Sequence, residues 1–339
     1  MLSHVDFKVI TKSKQREQFY ENMTSFPEPP SDTYGIVYLE NTDKELPTKL
    51  DQNIRYAYFK TIARGGKAIV MSCKDLHLSR TICYKKLRPE IANDPIEQQR
   101  FLREARVSAL LQHPNTVPMY ELGRDAKAQY YFTMKLVHGY TLREILDYRQ
   151  RYDLKQLINV IIQIGYALEY AHSHRVIHRD IKPENILVGP FGEVLLLDWG
   201  LAKVWNPDGS SDEEIGNSET ISKDKVTSIT DSEKLQGTIS YMSPEQILRD
   251  PDIDFRTDIF SLGVVLYEIL AGQAPAVGET VEEVKTKILN ESPQKPSFMT
   301  NTHVPQLLET TAMKCIEKVV DKRMETCAEL VRFLEEDWS

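Results

Sequence analysis

The chain has 339 residues, of which 41% are hydrophobic and 27% charged. That is enough apolar material for one large core or two modest ones, and it excludes a disulfide-stapled miniprotein, a collagen-like fibre and a wholly disordered chain. Forty-two basic and 50 acidic residues give a net charge of −8. This balance argues against nucleic-acid binding driven by phosphate neutralisation, but a local cationic site for a small phosphate ligand remains compatible with it.

Cys73, Cys83, Cys315 and Cys327 are scattered without a C-x-x-C pair, the pattern of buried thiols in a reducing compartment. The N-terminus lacks an apolar stretch of signal-peptide length, and the longest apolar runs, near 158–168 and 259–270, fall short of a membrane span of about 20 residues. A soluble cytoplasmic protein without a transmembrane segment is expected.

Residues 1–54 are polar, carry a turn-rich cluster from Phe26 to Asp32, and read as an N-terminal extension with at most one docked strand over 34–39. Residues 56–62, 68–73 and 80–87 are rich in β-branched and aromatic side chains and read as strands, with Gly65-Gly66 at the first turn. Asp94-Pro95 starts a helix that runs to about 112, with Asp94 as N-cap and Glu97 completing a capping-box-like pair. Strands follow over 116–122 and 130–137. Helical spacing then dominates over 141–151, 154–174, 258–271, 280–289, 305–317 and 327–336, around a loop-rich centre from 176 to 245. Strands first and helices second predict an α+β fold with two lobes, a small antiparallel β-sheet lobe with one helix (55–137) and a larger, mainly helical lobe (138–337).

The most specific string is His178-Arg179-Asp180-Ile181-Lys182-Pro183-Glu184-Asn185. A carboxylate, a cation and an amide so close together on one loop suit orienting a hydroxyl, neutralising a phosphate and holding a metal; a turn of solvated polar residues is the bland alternative. Asp198-Trp199-Gly200 follows an apolar run, so a strand end presents a carboxylate. Lys85 closes the strand Ile82-Cys83-Tyr84-Lys85, and Lys86 points the opposite way in a period-2 strand. Glu104 lies on the capped helix.

These motifs resemble the protein kinase superfamily, in its bacterial eukaryotic-like (Hanks-type) serine/threonine branch, over about 56–337. The resemblance implies that Asp180 receives or orients the substrate hydroxyl proton, that Lys182 contacts the γ-phosphate, and that Asn185 and Asp198 hold Mg2+ (or Mn2+). It implies that Lys85 binds ATP phosphates and pairs with Glu104. Ile62, Gly65, Gly66 and Val70 would frame the nucleotide, with Met134 at the back of the adenine pocket and Lys135 to Val137 as the hinge. In Gly237-Thr238-Ile239-Ser240-Tyr241-Met242-Ser243-Pro244-Glu245, Glu245 would ion-pair with Arg323, and Thr238 would bond Asp180 and Lys182. Asp258 would anchor the catalytic-loop backbone.

Two departures stand out. The phosphate-covering loop, Ala63-Arg64-Gly65-Gly66-Lys67-Ala68, keeps only the middle glycine of the family pattern, which predicts weakened ATP binding, with Lys67 as a candidate replacement cation. The activation segment, 198–245, is long. Its stretch 205–234 holds eight acids and three lysines, five of the eight net negative charges. Autophosphorylation at Thr227 or Thr230, received by Arg179, is expected there.

The resemblance thus implies an ATP-dependent, non-specific serine/threonine protein kinase that acts on protein Ser/Thr hydroxyls, with no nucleic-acid partner and with a homodimer for autophosphorylation. With no anchor or sensor domain read in the chain, its input is expected from a partner, from dimerisation or from the extension. Two alternatives stay open. A pseudokinase scaffold is supported by the eroded glycine loop and opposed by intact Asp180 and Asp198. A small-molecule kinase is opposed by the 237–245 segment, which in protein kinases shapes a peptide platform.

Overall fold

The computed structural model describes residues 55–148, 152–204 and 237–336, together with Thr42. The expected extension, its strand over 34–39, and the 205–234 stretch with Thr227 and Thr230 lie outside the described residues. The chain forms two compact units; among the described residues, one holds 55–141 and 187–195 and the other holds 142–186 and 196–336.

In the first unit, the β-branched and aromatic runs form β1 (Tyr56–Arg64), β2 (Ala68–Asp75), β3 (Arg80–Leu87), β4 (Met119–Arg124) and β5 (Tyr130–Met134). They make one sheet in the order β1-β2-β3-β5-β4, with antiparallel pairings that set Val70 opposite Lys85 and Lys85 opposite Phe132. Alternation sends neighbouring side chains to opposite faces. One face packs Leu87 and Phe132 against Phe101 and Ala105 of the helix α1 (Pro95–Leu110). The other carries Cys73, Ile82, Tyr84 and Tyr131, with the two tyrosine rings stacked 4.6 Å apart. The Arg55 guanidinium closes this face, held by both oxygens of buried Asp75 at 3.1 and 3.2 Å and by Glu121 at 2.9 Å.

The helix α1 starts as its sequence predicts, with Asp94 Oδ1 accepting the Ile96 and Glu97 amides at 2.8 and 3.2 Å. The reciprocal half of the expected capping box is not made, because the Glu97 carboxylate turns to Lys67 and Arg100. β5 stops at Met134 rather than 137, and the Lys135 amide donates to Pro118 instead of to a strand partner. β4 starts at Met119, three residues after the expected position and just past Pro118, which has no N–H for a ladder. β6 (Tyr140–Thr141) pairs with β8 (Ile186–Val188), which precedes β9 (Val194–Leu196), once the short β7 (Val176–Ile177) is counted in chain order.

The second unit is helical: α2 (Leu142–Leu146), α3 (Leu154–Ser173), α4 (Pro244–Leu248), α5 (Arg256–Ala271), α6 (Val281–Asn290), α7 (Pro296–Met299), α8 (Gln306–Cys315) and α9 (Cys327–Glu336), with β10 (Lys203–Val204) pairing with β7. The predicted helix over 141–151 is described only as the short α2. In α3, an Asp153/Gln156 capping box starts a helix whose Ile158, Ile161, Ile164 and Leu168 are fully buried. α5 is buried along every residue from Thr257 to Ala271, the signature of a helix enclosed on all sides. All four cysteines are buried and free. No helix among the described residues is long and apolar enough to cross a membrane.

Gly263 is where α5 meets α8: a Cβ there would lie 2.3 Å from the Cys315 Cβ and 3.2 Å from Ile316. The substitution Gly263→Ala must push two helices apart and should cost about 1–3 kcal/mol. Urea denaturation checks this, and an unchanged midpoint would show that the helices separate freely.

Candidate functional site

Each unit gathers part of the predicted site. In the first, β3 presents Lys85 and α1 presents Glu104, and Lys85 Nζ lies 2.5 Å from Glu104 Oε1 with both side chains largely buried. Cys83 pairs with Met134 across the sheet. Ile62, Val70 and Val137 are buried. The turn between β1 and β2 is closed by the Gly65 amide donating to Ala68 at 2.9 Å. Neither Gly65 nor Gly66 has a left-handed backbone, and a Cβ on Gly66 would meet nothing within 4 Å. Gly66 thus leaves open space over bare backbone. Lys67, considered as a replacement phosphate cation, is ion-paired with Glu97 at 2.7 Å. Lys86 faces away from Lys85, with its Nζ 3.9 Å from Asp125.

The second unit holds the loop that runs from His178 to Asn185. Lys182 Nζ donates to both Asp180 oxygens at 2.7 and 2.8 Å, and Asn185 Nδ2 donates to the Asp180 carboxylate and carbonyl at 2.8 Å each. Burial raises the Asp180 carboxyl above its ordinary range; the Asp198 charge adds to the rise and Lys182 opposes it. A carboxylate raised in this way takes up a proton more readily than one in water. Asp198 sits in a left-handed conformation (φ 66°) with Oδ1 3.3 Å from the Gly200 amide. The Leu197 amide ties to the Asn185 carbonyl at 2.8 Å, so the segment carrying Asp198 is bonded to the loop carrying Asn185.

The loop is held by Asp258 on α5. Its two carboxylate oxygens accept the His178 and Arg179 amides at 2.8 Å each, and His172 Nε2 approaches to 2.9 Å. His178 is fully buried; its Nδ1 accepts the Asp180 amide at 3.2 Å, which leaves Nε2 to donate to the Leu197 carbonyl at 2.9 Å. Trp199 packs edge-on against His178 at 4.6 Å, and its indole N–H, 1% exposed, has no hydrogen-bond partner among the described residues. Arg179 Nε donates to the Leu201 carbonyl at 2.7 Å, and Gln246 Nε2 donates to the Arg179 carbonyl.

Glu245 and Arg323 form a buried two-pronged pair at 2.5 and 2.7 Å, with Arg323 also donating to the Glu317, Arg256 and Lys318 carbonyls. The expected Thr238 bonds to Asp180 and Lys182 are not made. Thr238 lies in a helical turn whose carbonyl accepts the Tyr241 amide, and Asp180 is occupied by Lys182 and Asn185.

Sequence reasoning missed a half-buried cluster. Arg143 on α2 donates to Glu184, to both oxygens of Glu268 on α5, and to the Tyr241 hydroxyl. Tyr241 donates to Glu268 at 2.5 Å; burial, and then the Glu268 charge, hold its phenol protonated well above its ordinary range. These residues are up to 125 positions apart and look like isolated surface charges in the sequence. Ser243 caps α4 and bonds Thr257 at 2.6 Å.

A model of the protein kinase domain matches residues 56–339. The chain is 37% identical over 310 residues to a serine/threonine-protein kinase PknD of Protochlamydia amoebophila, covering 87% of this chain and 31% of that protein. It is 34% identical over 277 residues to a serine/threonine-protein kinase PrkC of Bacillus subtilis (81% and 39%). It is 33% identical over 279 residues to a serine/threonine-protein kinase PknB of Mycolicibacterium smegmatis (81% and 42%). The chain belongs to the protein kinase domain family, and it spans between 31% and 42% of the length of these curated relatives.

The family uses ATP and a divalent metal ion, and the residues present fit such an ion. Asn185 is 6% exposed and spends its amide N–H on Asp180, which leaves its Oδ1 free of that pairing to act as a ligand. The Asn185 amide oxygen and the Asp198 carboxylate are hard oxygen donors. Among the described residues there is no cluster of three His, Cys, Asp or Glu, and a magnesium ion needs none, because one or two protein ligands with phosphates and water suffice.

The Asp258 grip carries a pH signature. Burial works against its charge, but His172, His178 and the backbone amides outweigh it and hold the carboxyl below its ordinary 3.8. Its stabilisation is complete above 3.8 and is lost as pH falls through the lower native value. Asp258→Asn should cost about 3 kcal/mol at pH 7. The gap from wild type should narrow at pH 3; a gap of equal size at both values, measured by urea denaturation, would contradict this assignment.

Proposed function

We propose that the chain is an ATP-dependent serine/threonine protein kinase that transfers the ATP γ-phosphate to Ser and Thr hydroxyls of proteins. The observation that carries the reading is Asp180: a carboxylate with its pKa raised by burial, aimed by Lys182 and Asn185, on a loop fixed from below by Asp258. In this reading Asp180 orients the acceptor hydroxyl and receives its proton as the oxygen attacks phosphorus in line. Lys182 steadies the carboxylate and offers positive charge to the transferred phosphoryl group. Lys85, fixed by Glu104, holds the nucleotide phosphates. Asn185 and Asp198 hold Mg2+ or Mn2+, which when bound neutralises the phosphate oxygens. Ile62, Gly65, Gly66, Val70, Met134, Lys135 and Val137 frame the nucleotide. Because the protein groups are placed before substrate arrives, most of the rate gain is positioning and electrostatics.

Residues 55–137 and 138–337 act as the two kinase lobes in this proposal, 198–245 as the activation segment and 1–54 as an extension. A cytoplasmic protein that dimerises to phosphorylate Thr227 or Thr230 in trans completes it, with Arg179 receiving the phosphate. The composition of 205–234 supports that part.

The primary test is phosphate transfer from labelled ATP to the chain itself and to a generic basic protein. Asp180→Asn and Lys85→Met should each lower transfer by at least 100-fold while ATP binding survives in the first. Transfer undiminished in Asp180→Asn would refute the role of Asp180, and transfer to a small hydroxylated metabolite alone would refute the protein-kinase reading. Mass-spectrometric mapping after ATP incubation should place phosphate within 205–234; its absence there would refute autophosphorylation of the activation segment.

A further inference from the structure

A stripe of α1 grips the first unit's sheet in two places. Glu104 holds Lys85 on β3 at 2.5 Å. Glu97, seven residues earlier and so close to two turns and roughly 10 Å along the same face, holds Lys67 at the β1–β2 turn at 2.7 Å. Glu97 is only 13% exposed and also accepts from Arg100 at 2.9 Å. Its place in the first helical turn suits a negative charge. The turn is held from a second side: the Arg88 amide donates to the Lys67 carbonyl at 2.9 Å. So the tip that carries Gly65 and Gly66 is fastened to the helix by a side chain and to the end of β3 by its backbone.

We infer that Glu97 and Lys67 are positioning residues which tether the phosphate-covering turn to the helix bearing Glu104, so that the turn and the helix move together. Closely spaced glycines let such a turn settle onto phosphate by backbone freedom; this turn keeps two, neither in a left-handed conformation. The tether supplies the placement from outside the turn. The ordinary alternative is that Lys67 serves phosphate directly and Glu97 merely competes for it. The two make opposite forecasts for Glu97, because loss of a tether weakens nucleotide binding and loss of a competitor strengthens it.

The inference rests on the kinase reading for its nucleotide arm and stands apart from it in its second arm. The nucleotide arm measures KM for ATP and kcat on a generic basic protein for Lys67→Ala, Glu97→Gln, the double variant, Lys67→Arg and Arg100→Gln. The expected result is a two- to fivefold rise in KM for both single removals, the range of a surface ion pair, with kcat within about twofold. The double variant should be no worse than either single, and Lys67→Arg should restore the wild-type value. The second arm is amide hydrogen exchange without nucleotide, in which residues 64–68 and the first two turns of α1 should speed up together in Lys67→Ala. A fall in KM for Glu97→Gln, an equal effect from Arg100→Gln alone, or unchanged exchange in both segments would overturn the tether. A wild-type chain that binds no ATP would refute the kinase reading instead, and the exchange arm would still decide the tether.

Discussion

Everything in the helical unit that bears on chemistry depends on one carboxylate with no exposure to water. Asp258 accepts two consecutive backbone amides, from His178 and Arg179, while His172 closes on the same oxygen as His178. An unpaired charge buried at this depth would cost several kcal/mol, so the grip is strong because its alternatives are poor. It also lets Arg179 keep a left-handed backbone, φ 64°, which is unfavourable for a residue with a side chain. That bend delivers Asp180 to Lys182 and Asn185. A second strained residue, Asp198, turns in the same left-handed sense at a strand end. Both strained positions are overdetermined by bonds to neighbours.

The first unit uses a different physical means. Each face of its sheet carries a buried apolar cluster. Lys85 and Glu104 are both largely shielded, so their pairing carries more weight than a pair at the surface. On the opposite sheet face, stacked tyrosines and the Arg55–Asp75 pair fix the strands from the other side. In the proposed function Lys85 holds phosphate, and the strand that carries it is packed on both faces.

Much of this was legible in the sequence because the relevant signals are local. Strand alternation, the Asp94 cap and the compact string from His178 to Asn185 each lie within a few residues, so spacing alone ordered them. Asp258 and the Glu245–Arg323 pair were read from motif resemblance, and the structure bonds each to the partner expected. What escaped is non-local or depends on a choice between partners. The Arg143, Glu184, Tyr241 and Glu268 cluster joins four elements whose charges look solvated one at a time. Glu97 satisfies the spacing of a capping box yet bonds elsewhere, because a lysine from a hairpin and an arginine one turn on compete for the same oxygen. The bond expected of Thr238 is not made, and Asp180 is held by Lys182 and Asn185 instead. The Ser243 cap is local, set by its spacing from Gln246, whereas its bond to Thr257 joins residues 14 positions apart.

The bonds that hold the loop from His178 to Asn185 and its neighbours join residues far apart along the chain. Asp258 lies 80 positions beyond His178, and Arg323 lies 78 beyond Glu245. Closing such long loops costs entropy before any contact repays it. During synthesis from the N-terminus, the strands of the first unit can pair while His178 still has no acceptor for its amide. The loop can lock only after α5 has emerged, and Glu245 stays without its counter-charge until Arg323 follows. A nascent fragment can therefore carry a paired sheet while the loop from His178 to Asn185 is still unanchored.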